Sequence, residues 1–173
     1  MIVNERDNRH EHILDVVSQM MTAARTAPKA KGVDLVEAAA VTDEEIHLLS
    51  NRLRELAATT GHDFFLRDAD NILKAQAVVL IGTRGQLHAL NCGYCGFPQC
   101  GLKPANVPCA LNSIDLGIAV GSACATAADL RVDCRVMFSA GFAARSLNWL
   151  IDCGEVLALP VSISSKNPFF DRK

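Results

Sequence analysis

The chain is organised around the stretch NCGYCGFPQCG, residues 91–101, which is followed by a further cysteine in VPCA, residues 107–110. Four thiols therefore fall within residues 92–109 at the spacing C-x2-C-x4-C-x8-C. Thiolates at this density are ligands that iron–sulfur clusters and zinc prefer. The neighbouring glycines allow tight turns and leave backbone N–H groups free to point at sulfur. The loop is therefore predicted to hold a metal, with these ligands: Cys92, Cys95, Cys100 and Cys109.

The spacing also bears on which metal the loop holds. It differs from the C-x2-C-x2-C-x3-C-P run of bacterial ferredoxins and from the paired C-x2-C knuckles of a zinc ribbon. It resembles the C-G-x-C-G-x-x-x-C loop of a family of small four-iron, four-sulfur domains, whose fourth cysteine lies further downstream. We therefore favour a [4Fe-4S] cluster, and zinc is the alternative. Ordinary buried thiols or a disulfide cluster are a third reading, which a loop rich in Gly and Pro fits poorly.

Length and composition limit the other function classes. The 173 residues predict one domain, 1–173, in which residues 91–109 form an inserted loop. A net charge of −2 gives no basic surface for nucleic acid. Residues 1–12 are polar and resemble no secretory signal, and no run looks long enough to span a membrane. We therefore expect a protein of the reducing cytoplasm, where clustered cysteines indicate metal or redox chemistry.

Hydrophobic periodicity predicts the helices. Residues 10–26 carry apolar residues at i, i+3, i+4 and i+7 and end before Pro28. Thr42 and Glu45 form a capping box for a helix that ends at Gly61. Asp68 is expected to begin a brief helix that reaches Lys74. The last two predicted helices are 110–128, which is rich in small residues, and 142–151.

Continuous apolar runs predict the strands. The run 77–81 is closed by Gly82 and is typical of a strand buried on both faces. Further strands are expected at 33–41, 133–138 and 155–163. We expect Phe169 and Phe170 to dock on the protein or on a partner subunit. His88 is expected at the surface, and Cys124 is expected to be a small core residue.

The whole chain resembles a family of bacterial and archaeal proteins of unknown function that are described as containing a ferredoxin domain. Its recognisable parts here are TAARTAPKAKGVD (residues 22–34), the cysteine loop and the SSKN tail (residues 164–167). This resemblance implies an iron–sulfur redox protein that transfers single electrons.

More distantly, the framework resembles flavin-dependent nitroreductases. Their helix ending in Ala-Arg-x-Ala-Pro is similar to residues 24–28, and their long central helix, following strand and closing strand are similar to residues 110–163. The resemblance implies an α+β fold with a mixed or antiparallel sheet flanked by helices. It also implies an intertwined homodimer with FMN at the interface and oxidoreductase activity, in which single electrons pass to FMN or to a redox partner protein.

The flavin contacts that this resemblance implies are incomplete. The Ala-Pro-Ser and following Asn that often line the flavin pocket are replaced by Pro28-Lys29 and Gly32, and the N-terminal arginine pair has only Arg6 and Arg9 as loose counterparts. FMN binding is therefore an open alternative. The implied basic contacts are Lys29, Lys31, Arg172 and Lys173. The alternative is that these four residues are solvated surface lysines and a frayed terminus, with no flavin contact.

Overall fold

The computed structural model describes residues 1–170, and the fold is that of this part of the chain. Five helices and four strands alternate with short 3-10 turns at Ala30–Gly32 and Cys100–Leu102. The elements in chain order are α1 (Glu5–Thr26), β1 (Val36–Val41), α2 (Asp43–Thr60), α3 (Phe64–Ile72), β2 (Ala77–Arg84), α4 (Ala110–Asp129), β3 (Asp133–Cys134), α5 (Phe138–Ser146) and β4 (Cys153–Ser162).

The strands form one antiparallel sheet in the order β1-β2-β4-β3. At its centre, Val79 lies opposite Ala40 on one side and Leu159 on the other. The α+β class and the antiparallel sheet flanked by helices are therefore confirmed.

The sheet separates two hydrophobic cores, because successive side chains of a strand point to opposite faces. Val79 and Ile81 of β2 pack with α1 and α4, whereas Val78 and Leu80 pack with α2, α3 and α5. All four side chains are fully buried. The prediction of a strand buried on both faces is confirmed.

The long helices occur where periodicity placed them. Helix α2 follows Thr42 and ends at Gly61, whose φ of 72° is the left-handed conformation of a helix C-cap. Helix α1 begins at Glu5, earlier than predicted, because the Asn4 side chain accepts a hydrogen bond from the Arg6 N–H at 3.1 Å.

Other boundaries were predicted wrongly. Strand β1 begins at Val36, because a 3-10 turn occupies Ala30–Gly32. Helix α3 begins at Phe64, and the buried Asp68 accepts a hydrogen bond from the Ser139 hydroxyl and does not cap the helix. The predicted strand 133–138 is reduced to Asp133–Cys134, since α5 already begins at Phe138.

The end of the described chain docks on its own domain. Phe169 is 1% exposed, and its carbonyl accepts a hydrogen bond from Arg135 Nη1 at 2.8 Å. Phe170 is 59% exposed, and its ring lies 5.3 Å from the Arg135 guanidinium. Docking of Phe169 within the chain is thus confirmed, whereas Phe170 lies largely on the surface.

Helix α4 is long and apolar enough, by length and composition, to cross a membrane. The expectation that no run has that length was therefore wrong. One face of this helix packs against α1 and the sheet and includes the buried polar residues Asn112 and Asp115. That packing accounts for the apolar character of the inner face.

Candidate metal centre

The cysteine loop connects β2 to α4 across residues 85–109. Cys92 and Cys95 lie in its irregular first part, and Cys100 opens a 3-10 turn. Cys109 is the N-cap residue of α4, and its carbonyl accepts a hydrogen bond from the Ser113 N–H at 3.2 Å. The fourth thiol is therefore carried by the start of a helix and the first three by the loop.

The loop is held in a folded shape by its own backbone. Asn91 adopts a φ of 48°, and Gly93 and Gly96 adopt φ values of 75° and 86°. The Asn91 side chain accepts a hydrogen bond from the Cys100 N–H at 2.8 Å, and the Asn91 N–H donates to the Cys100 Sγ at 3.4 Å. These two bonds close the loop around the first three cysteines.

All four thiols are free, but their surroundings differ. Cys92 is exposed, Cys95 and Cys100 are half-buried and Cys109 is buried. Within residues 1–170, no three or more His, Cys, Asp or Glu side chains are gathered as a metal ion requires. The donor set fits a soft metal, because four uncommitted sulfurs lie on one short connection. Binding to all four would require the loop to close further.

The entrance of the loop is fixed to α4 by Asn112. Its Nδ2 donates to the carbonyls of Arg84 at 3.0 Å and Gln86 at 2.8 Å. The Oδ1 of this side chain is buried and has no hydrogen-bond partner among the described residues. The amide therefore ties the end of β2 to the first turn of the helix that carries Cys109.

A second attachment involves Asp115, one turn further along α4. Both of its carboxylate oxygens accept the Ala30 N–H at 3.0 Å, and Oδ2 lies 3.3 Å from His88 Nε2 without hydrogen-bond alignment. The His88 carbonyl accepts a hydrogen bond from Lys31 Nζ at 3.1 Å. His88 was expected at the surface, and this expectation was wrong, because the residue is buried and only 4% exposed.

A polar cavity of about 240 Å³ lies against the helix end of the loop. Its lining includes Cys109, Asn112, Arg84, Arg145 and Glu155. A second cavity of about 410 Å³ shares Arg145 and Glu155 with it and is lined mainly by apolar side chains of α4, α5 and β4. Small molecules can therefore approach the buried Cys109 from this side.

The lysines proposed as flavin contacts are engaged within the protein. Lys29 Nζ donates to the carbonyls of Ala24 at 3.1 Å, Arg25 at 2.6 Å and Ala27 at 2.8 Å, and its side chain is 5% exposed. An ammonium has three donors, so Lys29 uses them all at the end of α1. Arg172 and Lys173 lie outside the described residues. The assignment of these residues as flavin contacts stays a prediction.

The two N-terminal arginines lie together at a different place. Arg6 and Arg9 line a cavity of about 330 Å³ with Ser164 and Ser165 of the chain's last segment. Arg9 also forms an ion pair with Glu5 at 2.7 Å, and that contact lowers the pKa of Glu5. Two guanidinium groups beside two hydroxyls form a surface that suits an anion such as phosphate.

The remaining three cysteines lie outside the loop. Burial beside Gly82 raises the pKa of Cys153 to about 11. Cys124 was expected to be a core residue, but it is only half-buried, and its thiol meets that of Cys134 on β3. Sequence alone did not predict this contact, nor the approach of His88 to Asp115, since each joins separate elements. The one signal for Asp115 was a carboxylate among apolar residues of α4.

Comparison with known proteins yields two kinds of relative. The family model described as "Uncharacterized protein containing a ferredoxin domain" (DUF2148) matches residues 105–172, a range that includes Cys109 and begins after Cys100. An uncharacterized protein from Archaeoglobus fulgidus is 38% identical over 182 residues, which cover 99% of this chain and 98% of that protein.

The similar solved structures are flavoproteins. An FMN-bound nitroreductase from Bacteroides fragilis superposes with a TM-score of 0.62 at 11% identity, covering 92% of this chain and 81% of the other. An FMN-containing oxidoreductase gives a TM-score of 0.61 at 14% identity, covering 88% and 67%. At such identities the likeness shows the fold alone. The chain thus belongs to the family of uncharacterized proteins containing a ferredoxin domain, and its fold is that of the nitroreductases.

Proposed function

We propose that this chain is an iron–sulfur redox protein that binds a [4Fe-4S] cluster through Cys92, Cys95, Cys100 and Cys109. The observation that carries the proposal is the set of four free thiols on the single connection between β2 and α4. A cluster bound there would supply one-electron transfer. The ferredoxin domain in the family's description supports the same class of cofactor.

The surrounding residues would hold the ligands and adjust the site. Asn112 fixes the entrance of the loop to α4, and Asp115 fixes the neighbouring Ala30 turn to the same helix. Cys109 is the N-cap residue of a 20-residue helix, so regular secondary structure fixes the position of this ligand. Asn91 already directs its N–H to the Cys100 sulfur, and such bonds tune the potential of a bound cluster.

The test is to measure iron and sulfide in anaerobically purified protein, together with its colour. Wild-type protein is expected to be brown, and Ser at position 92, 95, 100 or 109 should remove most of the iron. The matched control is Cys153→Ser, which removes a buried thiol far along the chain and should keep the iron. Full iron retention in Cys109→Ser would remove Cys109 from the ligand set.

Colourless protein containing stoichiometric zinc would overturn the cluster proposal. The chain would then be a non-enzymatic module in which zinc stabilises the loop, as the same four thiolates allow. Zinc analysis of the same samples therefore separates the two functions.

A second candidate function is flavin-linked oxidoreductase activity, and one observation favours it. The cavity of Arg6 and Arg9 with Ser164 and Ser165 offers phosphate ligands on a fold that the FMN-bound structures share. Arg6, Arg9, Ser164 and Ser165 would bind the FMN phosphate, and the flavin ring would contact other residues. Electrons would then pass between FMN and the cluster, and from there to a redox partner protein.

Titration of apo-protein with FMN, followed by flavin fluorescence, tests this candidate. Micromolar binding that weakens in Arg6→Ala/Arg9→Ala and in Lys29→Ala/Lys31→Ala would support a flavoprotein. Lys29 also ties down the end of α1, so the second variant needs a thermal-stability check. Arg54→Ala is the control for lost positive charge, since Arg54 is exposed on α2, which packs on the opposite face of the sheet from α1. No binding with the cluster intact would favour an electron carrier or sensor.

A further inference from the structure

We propose that Cys124 and Cys134 form a reversible intrachain disulfide and so constitute a dithiol redox site apart from the cysteine loop. The argument rests on where the chain places these two side chains. Cys124 lies near the end of α4, and Cys134 lies on the edge strand β3. Cys124 is fifteen residues beyond Cys109, which is roughly 22 Å along the helix at 1.5 Å per residue.

The turn between α4 and β3 brings the two elements together. The Val132 N–H donates to the Ala127 carbonyl at 3.0 Å, so the chain reverses directly after the helix. Cys134 pairs with Val161 of β4, which fixes the strand on the sheet. Cys124 and Cys134 then pack against the same hydrophobic core from neighbouring elements. Both positions are held by regular secondary structure, so their proximity is a property of the fold.

The two thiols are neighbours, and each perturbs the ionisation of the other. Side-chain hydrogen bonding between them lowers the pKa of Cys134 and raises the pKa of Cys124, because Cys124 donates its proton to the Cys134 sulfur. The carboxylate of Asp133 acts against this effect on Cys134. Thiolate character thus concentrates on Cys134, which makes it the attacking thiol, and Cys124 becomes the resolving thiol.

Reagents can reach this pair. Both residues are half-buried, as are Cys95 and Cys100 of the loop, whereas Cys153 and Cys109 are buried. A small disulfide of the glutathione class is the oxidant that this exposure and chemistry suit. The Cys134 thiolate attacks one of its sulfurs, forms a mixed disulfide and releases one thiolate. Cys124 then attacks the Cys134 sulfur and releases the second thiolate, so two protein thiols are oxidised and one small disulfide is reduced to two thiols.

The test is oxidation of the full, anaerobically prepared chain with oxidised glutathione, followed by alkylation of the remaining thiols and mass spectrometry. Asp-N cuts before Asp115, Asp129, Asp133 and Asp152, so Cys124 is released on peptide 115–128 and Cys134 on peptide 133–151, both apart from the loop cysteines. Wild-type protein is expected to lose the thiols of Cys124 and Cys134 and to yield these two peptides linked by a disulfide. Dithiothreitol should restore both thiols.

Two variants separate the roles of the thiols. Cys124→Ser should trap a stable glutathione adduct on Cys134, and Cys134→Ser should form no intrachain disulfide. Cys153→Ser is the control and should behave as wild type. Three outcomes would each overturn the proposal. The first is a link from Cys134 to a loop cysteine, and the second is a disulfide-linked dimer on a non-reducing gel. The third is full retention of both thiols in the folded protein under conditions that oxidise the urea-unfolded chain.

Discussion

At the scale of single residues, buried polar and thiol groups determine how the loop is attached and which cysteines react. Asp115 is the main case, because its carboxylate is buried and yet serves as acceptor for the backbone of the Ala30 turn. Such a group is costly to bury unless its hydrogen bonds are kept. The Asp115 carboxylate therefore holds the Ala30 turn against α4, and this turn contacts the loop through Lys31 and the His88 carbonyl.

We predict that Asp115→Ala lowers the free energy of unfolding by about 1–3 kcal/mol, because the half-buried Ala30 N–H loses its acceptor. Asp115→Asn should cost less, since its amide oxygen can still accept that bond. Urea unfolding followed by circular dichroism measures both variants. Equal losses in Ala and Asn would show that the hydrogen bond to Ala30 is not the reason for the effect.

The buried Cys153 gives a prediction about pH. Its pKa is raised from 9.0 to about 11, mainly by burial, so the folded protein keeps the proton where the unfolded chain has lost it. This group's contribution to stability is therefore complete below pH 9 and declines as the pH rises towards 11. Alkylation of native Cys153 by iodoacetamide should remain slow at pH 9, while the same residue in urea reacts readily. Equal rates in both states at pH 9 would contradict the raised pKa.

At the scale of elements, the close contact between α5 and β4 requires a glycine at position 141 of α5. A Cβ atom on Gly141 would lie 2.1 Å from the Val156 carbonyl oxygen and 2.7 Å from the Leu157 Cα. Backbone atoms cannot rotate away as a side chain can, so the helix would have to move off the sheet.

Gly141→Ala is therefore expected to lower the free energy of unfolding by at least about 2 kcal/mol, with loss of the α5–β4 contact. Gly154→Ala is the matched control on β4, where a Cβ would meet nothing within 4 Å, and it should change stability by less than about 0.5 kcal/mol. Thermal and urea unfolding of the two variants provide the measurement. A Gly141→Ala protein as stable as wild type would disprove this tight approach.

Helices α2 and α5 show which parts of the fold could be predicted from the sequence. The bounds of helix α2 were predictable, because Thr42 before it and Gly61 after it are local signals, but the predicted capping box was wrong, since the Thr42 side chain forms no capping hydrogen bond. The start of α5 was not predictable. The strand expected through Phe138 ends at Cys134, and Met137 then forms an isolated bridge with Ala158 before the helix begins. Likewise, the spacing of the cysteines identified the candidate ligands. The members of the pairs His88–Asp115 and Cys124–Cys134 lie on separate elements, and the fold brings them together.

At the scale of the whole molecule, α4 has two contrasting faces. Its inner face packs on α1 and the sheet, whereas its outer face exposes Ile114 and Ile118 between small residues. The apolar cavity of about 410 Å³ with Phe138 and Phe142 continues this surface. Contiguous apolar surface of this kind is typical of an interface, and small residues allow close approach of a second helix. A second copy of the chain is the partner that the fold's resemblance to nitroreductases suggests.

We therefore predict a homodimer through α4, with a sedimentation mass about twice the 18.6 kDa of the chain at micromolar concentration. Ile118→Glu should shift the protein to the monomer, because a carboxylate would be desolvated at the centre of the interface. Leu48→Glu is the matched control, since Leu48 is equally apolar and 54% exposed, but lies on α2. Its mass should remain that of the wild type. A wild-type mass near 18.6 kDa would rule out the dimer, and an effect of Leu48→Glu alone would move the interface from α4 to α2.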